Sequence, residues 1–251
     1  TYAQVNCSTA CSAITEIPNS ECLALCDLYN ATNGPNWTNT IANNHVWFSN
    51  NTPCDATNAW ANAWYGISCN PNGQWSYSIY NLRISSNNLA WSIPSSIWNF
   101  SHVGTINFND NQIAWIIPSE IWQLLKLKNL YLQNNQIWGI IPTSLANITW
   151  LEYLYLDANQ LGGTIPSALS NMTKLKKLQL GNNQLNWEIP FEIGQLTLLN
   201  TLYLQNNNLT GTIPSSIGNL TLINKISIAG NNLNGLLPNS LANLVNAGQF
   251  N

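Results

Sequence analysis

The sequence predicts an α/β solenoid: a right-handed superhelix with a parallel β-ribbon on its concave face and a mainly helical, disulfide-bonded N-terminal cap. Three observations favour this fold class. An Ile-Pro or Leu-Pro step returns every 24 residues, each repeat carries two apolar residues at spacing two, and all six cysteines precede residue 70. The steps fall at Pro94, Pro118, Pro142, Pro166, Pro190, Pro214 and Pro238.

The first predicted element is a cap over residues 1–78, because the open end of a repeat stack needs a cover. The segments "CSTAC" and "CLALC" each place two cysteines four residues apart, on one face of a helix. Antiparallel packing of two such helices would pair Cys7 with Cys26 and Cys11 with Cys22, although other pairings remain open. Zinc binding is the weaker alternative, since no histidine lies near these cysteines.

Cysteine usage and glycosylation acceptors indicate an extracellular protein, either secreted or at the cell surface. The sequence opens on "TYAQVNC" without a methionine or an apolar signal segment, which favours a mature secreted product. N-linked glycans are expected at Asn-x-Ser/Thr sites, above all at the four that share one repeat position (Asn99, Asn147, Asn171 and Asn219). The nine acceptors are Asn6, Asn30, Asn36, Asn50, Asn99, Asn147, Asn171, Asn208 and Asn219.

The second predicted domain, residues 79–251, holds seven 24-residue copies and the start of an eighth. The positions of Leu82 and Ile84 recur as Ile106 and Phe108, and so on to Ile226 and Ile228. Ala247 and Phe250 begin the eighth copy, in the columns of Ile223 and Ile226.

Within one copy, apolar residues at spacing two lie on one face of a short strand. One strand cannot bury that face alone, so the copies must stack and share a core. At roughly 4.8 Å per strand, seven copies make a parallel ribbon about 30 Å wide. The recurring asparagine, from Asn87 to Asn231, is predicted to bond backbone groups where each strand turns away.

Each Ile-Pro step is predicted to end a second short extended segment, because proline fixes its own backbone and biases its predecessor toward extended geometry. The following "PSSIGNL" and its equivalents are expected to form short helical or irregular turns on the convex side.

The repeat core "LxxLxLxxNxL" with the added "xGxIPxxLxxL" resembles plant-type extracellular leucine-rich repeats over residues 79–251. The segments "CDLYNATNGPNWTNT" and "PCDATNAWANAWYGISCN" resemble the cap of such proteins, which implies a Cys54–Cys69 disulfide. In that family the residue two before the isoleucine of Ile-Pro is normally glycine, whereas here Trp91, Trp115 and Trp187 occupy it in three copies. An indole column on the convex side would suit sugars or a neighbouring molecule.

Composition and motif searches favour a non-enzyme without cofactor or metal. Only 7% of residues are charged and the net charge is −3, which leaves no electrostatic footprint for nucleic acid. His45 and His102 lie near no zinc or triad pattern. The carboxylates are scattered, and the nearest candidate pairs for glycoside hydrolysis are Glu152 with Asp157 and Asp157 with Asp110. No apolar run reaches the length of a membrane span.

The outward residues of the ribbon are the predicted ligand-binding site. A surface of tyrosines beside amides suits contact with a protein, peptide or glycan. Tyrosine is, however, also common in strands that bind no ligand. An ice-binding face would show regular threonine columns, and only Thr105 and Thr201 occur. The predicted site consists of Tyr131, Gln133, Tyr153, Tyr155, Gln179, Tyr203 and Gln205.

Two functions compete. The first is a secreted interaction and structural scaffold that assembles head-to-tail with its own copies into extracellular filaments, because no polar repeat covers the core after Leu241 and Leu244. The alternative is a monomeric recognition module, a receptor ectodomain or inhibitor-like protein, that binds its ligand on the concave face.

Overall fold

The computed structural model describes residues 5–12, 14, 17–38, 67–71, 77–244 and 249–250. Two helices lie at the N-terminus, α1 (Cys7–Cys11) and α2 (Asn19–Ala31). The strands are β1 (Ile67–Pro71), β2 (Tyr77–Arg83), β3 (Ala90–Trp91), β4 (Thr105–Asn107), β5 (Gln112–Ile113), β6 (Asn129–Tyr131), β7 (Trp138–Ile140), β8 (Tyr153–Tyr155), β9 (Gln160–Gly163), β10 (Lys177–Gln179), β11 (Gln184–Glu188), β12 (Thr201–Tyr203), β13 (Asn208–Thr210), β14 (Lys225–Ser227) and β15 (Gln249–Phe250).

One long sheet, here named the ladder sheet, runs through every repeat in the order β1-β2-β4-β6-β8-β10-β12-β14-β15. From β2 onward all neighbours are parallel and shifted by 24 residues, so that Leu82 pairs with Ile106 and Leu178 with Leu202. Ile226 pairs with Phe250, as the expected eighth copy requires. The predicted solenoid with a shared core is confirmed, since Leu82 and Ile106 are both buried.

The asparagine column has the structural role predicted for it. The side chain of Asn183 accepts a hydrogen bond from Leu161 N at 3.0 Å and donates to Leu156 O at 3.0 Å. Asn111, Asn135, Asn159, Asn207 and Asn231 repeat this pattern. The column joins successive repeats behind the ladder sheet and satisfies backbone groups that the turn leaves free.

The second extended segment of each repeat also forms sheet. Four parallel strands pair in the order β13-β11-β9-β7, and β3 pairs with β5. A one-turn 3₁₀ helix follows each repeat proline, which confirms the expected short helical turns. These turns span Ser95–Asn99, Ser119–Gln123, Thr143–Asn147, Ser167–Asn171, Phe191–Gln195, Ser215–Asn219 and Asn239–Asn243.

The cap joins its two helices by disulfides, Cys7–Cys26 and Cys11–Cys22, the pairings expected from antiparallel packing. Cys69 is also disulfide-bonded, and its expected partner Cys54 lies outside the described residues. Besides its helices the cap contains β1, which pairs antiparallel with β2, and the boundary proposed after residue 78 falls inside β2.

A buried carboxylate ties the cap to the first repeat. Glu21 of α2 is 1% exposed, and its Oε2 accepts a hydrogen bond from Ile79 N at 2.8 Å. Burial raises the pKa of the Glu21 carboxyl from 4.5 to about 7, against the opposing effect of hydrogen bonds from Ile79 and Ser78.

Trp115, one of the three tryptophans expected to form an indole column on the convex side, is half-buried against the core. Trp98 is buried and stacks on Trp115, with ring centroids 5.9 Å apart, so it fills a gap in the protein's own core. Trp91 and Trp187 are 59% and 66% exposed and take left-handed backbone angles, φ 73° and 68°. The same turn carries glycine with φ 72° to 86° at Gly139, Gly163, Gly211 and Gly235. Both tryptophans therefore hold a conformation that disfavours a bulky side chain.

Burial declines at the C-terminal repeat, where Leu237 is 66% exposed. Ile189, which holds the position of Leu237 two repeats earlier, is 3% exposed. Within the described residues, no helix is long and apolar enough to cross a membrane.

Candidate ligand-binding face

The outward side of the ladder sheet, here named the ladder face, carries three columns of side chains at 24-residue spacing. Leu-x-Leu alternation buries one set of residues and turns the next set outward. From the start to the end of the strands, the columns read Asn81, Thr105, Asn129, Tyr153, Lys177, Thr201 and Lys225; then Arg83, Asn107, Tyr131, Tyr155, Gln179, Tyr203 and Ser227; then Ser85, Asn109, Gln133, Asp157, Gly181, Gln205 and Ala229.

A cluster of tyrosines occupies the middle of this face. The rings of Tyr131 and Tyr155 meet edge to face with centroids 4.9 Å apart, and Tyr153 lies 6.5 Å from Tyr155. Burial raises the pKa of Tyr131 and of Tyr155, and neighbouring tyrosines raise both further. Their hydroxyls therefore keep their protons at neutral pH and can donate hydrogen bonds to a ligand.

Charges of opposite sign border the cluster. At the start of the strands, Lys177 Nζ lies 5.9 Å from the centroid of the Tyr153 ring, and Lys176 Nζ lies 2.6 Å from Glu152 Oε2. After the strands, burial raises the pKa of Asp157, and the charge of Asp110 raises it further. Lys177 thus lies at one edge of the tyrosine cluster and the Asp157 carboxylate at the other.

All seven predicted site residues are half-buried on the ladder face. The structure brings Tyr131, Tyr153 and Tyr155 together, while Gln179 separates this cluster from Tyr203 along the middle column. Sequence reasoning did not assign Lys177 to the site. The signal was available, because Lys177 lies 24 residues after Tyr153 and pairs with it in the sheet.

Glu152 and Asp110, two of the three carboxylates considered for glycoside hydrolysis, have other partners. Glu152 is ion-paired with Lys176. Asp110 Oδ1 accepts from Asn134 Nδ2 at 2.6 Å, and its Oδ2 accepts from the side chain of Asn109. Across the described part of the chain, no three His, Cys, Asp or Glu side chains form a group suited to a metal ion.

The Leucine Rich Repeat family profile matches residues 126–148, 150–172, 174–196, 198–220 and 223–244. Residues 126–244 therefore contain five leucine-rich repeats, of the kind found in plant receptor ectodomains. No curated protein sequence matches it.

Solved structures of plant receptors resemble the chain. One is the LRR ectodomain of the membrane receptor kinase GASSHO1/SCHENGEN3 from Arabidopsis thaliana in complex with CASPARIAN STRIP INTEGRITY FACTOR 2. It is 35% identical over 65% of this chain and 20% of that chain, with a TM-score of 0.64. Another is the LRR ectodomain of the Arabidopsis receptor kinase HAESA in complex with an N-terminally extended IDA peptide hormone. It is 28% identical over 87% of this chain and 36% of that chain, with a TM-score of 0.72.

A plant ice-binding protein shares the fold, with a TM-score of 0.71, 23% identity, and coverage of 87% of this chain and 73% of that chain. At that identity the likeness concerns the fold alone. The chain spans 20% of the length of the GASSHO1/SCHENGEN3 ectodomain and 36% of the HAESA ectodomain.

Proposed function

We propose that the chain is a non-enzymatic, extracellular recognition module that binds an extended peptide on the ladder face. The observation that carries the proposal is the tyrosine cluster of Tyr131, Tyr153 and Tyr155 on an otherwise open sheet face. Tyrosine offers a large contact area with few rotatable bonds, so little conformational entropy is lost on binding. In this proposal residues 1–78 form the cap and residues 79–251 the recognition surface.

Two further features favour a peptide as ligand. The ladder face is a continuous surface across successive repeats, which suits a ligand that is itself extended. Lys177, the tyrosine cluster and the Asp157 carboxylate offer complementary contacts to charged and apolar side chains in one molecule. The HAESA ectodomain was solved with an IDA peptide hormone, which supports a peptide ligand for this fold.

A peptide selection on the immobilised protein tests the proposal. We expect selected peptides to lose at least about tenfold in affinity with Tyr155→Ala, because truncation of a central aromatic residue typically costs 1.4 kcal/mol or more. Binding would be measured by calorimetry.

Phe191→Ala is the matched control, since Phe191 is also an exposed aromatic residue but lies in a 3₁₀ turn away from the ladder face. It should leave affinity unchanged. Peptides that bind equally well to both variants would contradict the proposal.

Head-to-tail assembly into filaments, the first expectation from the sequence, has no support in the comparisons. An extracellular location is supported by the similarity to receptor ectodomains from plants and by the disulfides of the cap.

Glycosylation is expected at the 3₁₀ turns. Asn99, Asn147, Asn171 and Asn219 each end such a turn and are exposed. Asn30 differs, because its amide donates to Val5 O and accepts from Val5 N, both at 2.9 Å. In protein from a secretory host, we expect enzymatic deglycosylation in heavy-oxygen water to label the four turn positions and to leave Asn30 unlabelled. An unchanged mass after the treatment would refute this.

A further inference from the structure

The third column of the ladder face contains a notch at Gly181. Gln133, Asp157, Gly181 and Gln205 follow one another at 24-residue steps, and the glycine contributes no side chain. The side-chain amide of Gln205 lies in the space that a Cβ at position 181 would need. The notch is therefore covered by the flexible end of one glutamine, which can swing away at little cost.

Among the described residues, three acceptor atoms of this column have no hydrogen-bond donor. They are Gln133 Oε1, Asp157 Oδ1 and Gln205 Oε1, and all three are enclosed. A buried acceptor without a donor costs about 1–3 kcal/mol. Three such acceptors in one column therefore favour the binding of a group with several hydrogen-bond donors.

Asp157 also lacks a cationic partner. Asp110, the other carboxylate of this edge, accepts from the side chains of Asn134 and Asn109, whereas Asp157 forms no ion pair with any described Lys, Arg or His. The negative charge of Asp157 is thus balanced by no neighbour in this part of the chain.

Aromatic rings adjoin the carboxylate. Tyr155 precedes Asp157 by two residues and so lies on the same side of the sheet. The charges of Asp157 and of Tyr203 both raise the pKa of Tyr155, which shows that the three groups lie within electrostatic range. The faces of tyrosine rings attract cations. The Lys177 ammonium already lies over the Tyr153 ring in this way.

From this geometry we infer that the notch formed by Gln133, Asp157, Gly181 and Gln205, beside Tyr155, binds a guanidinium group. A guanidinium is planar, carries a permanent positive charge and has five donors, so it can pair with the Asp157 carboxylate and still donate to a neighbouring amide oxygen. The inference rests on the proposed function, because an arginine side chain of the bound peptide is the source of the guanidinium.

N-acetyl-arginine amide is the probe, with N-acetyl-citrulline amide as its neutral counterpart of the same shape. Titration followed by ¹⁵N NMR should give saturable shifts of the Gly181 and Gln205 amide signals, with a Kd on the order of 1 mM. Citrulline should bind at least about tenfold more weakly, because a charge-assisted hydrogen bond is worth about 1.5–3 kcal/mol.

Asp157→Asn should weaken binding of the arginine probe at least about tenfold, because it removes the charge from a charge-assisted hydrogen bond. Asp110→Asn is the matched control and should change it less than about twofold, because amides already hold that carboxylate. Unchanged thermal unfolding of both variants would show that the fold is intact. Equal binding of arginine and citrulline, or of the wild type and Asp157→Asn, would overturn the inference.

The peptide selection separates this inference from the proposed function. Selected peptides that depend on Tyr155 but lack arginine and ignore Asp157→Asn would overturn the guanidinium site and leave peptide recognition standing. If the arginine probe binds but no peptide is selected, the guanidinium site would stand and peptide recognition would be overturned.

Discussion

At the scale of single residues, one position of every repeat takes a left-handed conformation. It lies directly before the ladder asparagine, with φ between 49° and 67° at Ser86, Asp110, Asn134, Ala158, Asn182, Asn206 and Gly230. Asn, Asp and Gly tolerate this region, whereas alanine is held there at a cost of roughly 1–2 kcal/mol. Ala158 also interrupts a series of side-chain contacts, since Asn134 bonds to Asp110 and Asn206 to Asn182.

Ala158→Asn should therefore stabilise the protein by about 0.5–1 kcal/mol, because asparagine tolerates the left-handed region better. Urea unfolding followed by circular dichroism measures the change. Ala229→Asn is the control, since Ala229 is exposed and its φ is not positive. A gain of the same size at both positions would show that the backbone angle is not the cause.

Glu21 predicts a dependence of stability on pH. Its pKa in the folded protein, about 7, is above the ordinary 4.5, so its contribution is fully present below pH 4.5 and is lost as pH rises through 7. The loss should be on the order of 2 kcal/mol once solvent screening is allowed for. Thermal unfolding between these pH values should show a smaller decline for Glu21→Gln than for the wild type. Glu120→Gln, at an exposed site, should decline like the wild type.

At the scale of structural elements, the asparagine ladder holds the strands and turns of adjacent repeats together. Each amide bonds the backbone of its own repeat and of the one before it, as Asn183 does with Leu180 O at 3.1 Å and Leu156 O at 3.0 Å. These backbone groups are buried, so neither water nor another side chain replaces the lost partner.

Asn183→Ala should cost about 3 kcal/mol or more, because it leaves a buried N–H and buried carbonyls without partners. Asn186→Ala, at an exposed position of β11, should cost less than about 0.5 kcal/mol. Chemical denaturation of both variants measures the difference. Equal costs would mean that the ladder does not stabilise the turn.

At the scale of the whole molecule, burial differs between the first and the last described repeats. The cap covers the first repeat, with α2 packed against the Ser95–Asn99 turn, whereas Leu237 in the last described repeat is exposed. In a stack whose repeats contact only their neighbours, a substitution in the less buried C-terminal repeat should cost less than one in a central repeat.

Two alanine substitutions in one repeat column test this difference. Ile189→Ala should cost about 2–5 kcal/mol, because it removes buried atoms from a packed core. Leu237→Ala should cost less than about 0.5 kcal/mol, since the side chain is already in water. Similar costs, measured by urea unfolding at low protein concentration, would show that position 237 is covered in solution.

The repeat architecture could be predicted from the sequence because it depends on periodicity. When seven copies share one spacing, each strand can bury its apolar face only against its equivalent in the next copy. That requirement gives the register of Leu82 with Ile106, the second extended segment, the turns after proline and the ladder asparagines. The Cys7–Cys26 and Cys11–Cys22 bridges match the pairing that antiparallel helices would give, whereas the cysteine spacing by itself left other pairings open.

Features outside the periodic pattern were decided by the tertiary structure. The burial of Glu21 against Ile79 joins residues 58 positions apart, and no repeat spacing relates them. The stacking of Trp98 on Trp115 and the cover that Gln205 places over Gly181 depend on the room left by neighbouring side chains. Periodicity determines which positions face each other, whereas the volume, charge and rotamer of the residues at those positions determine what a surface can bind.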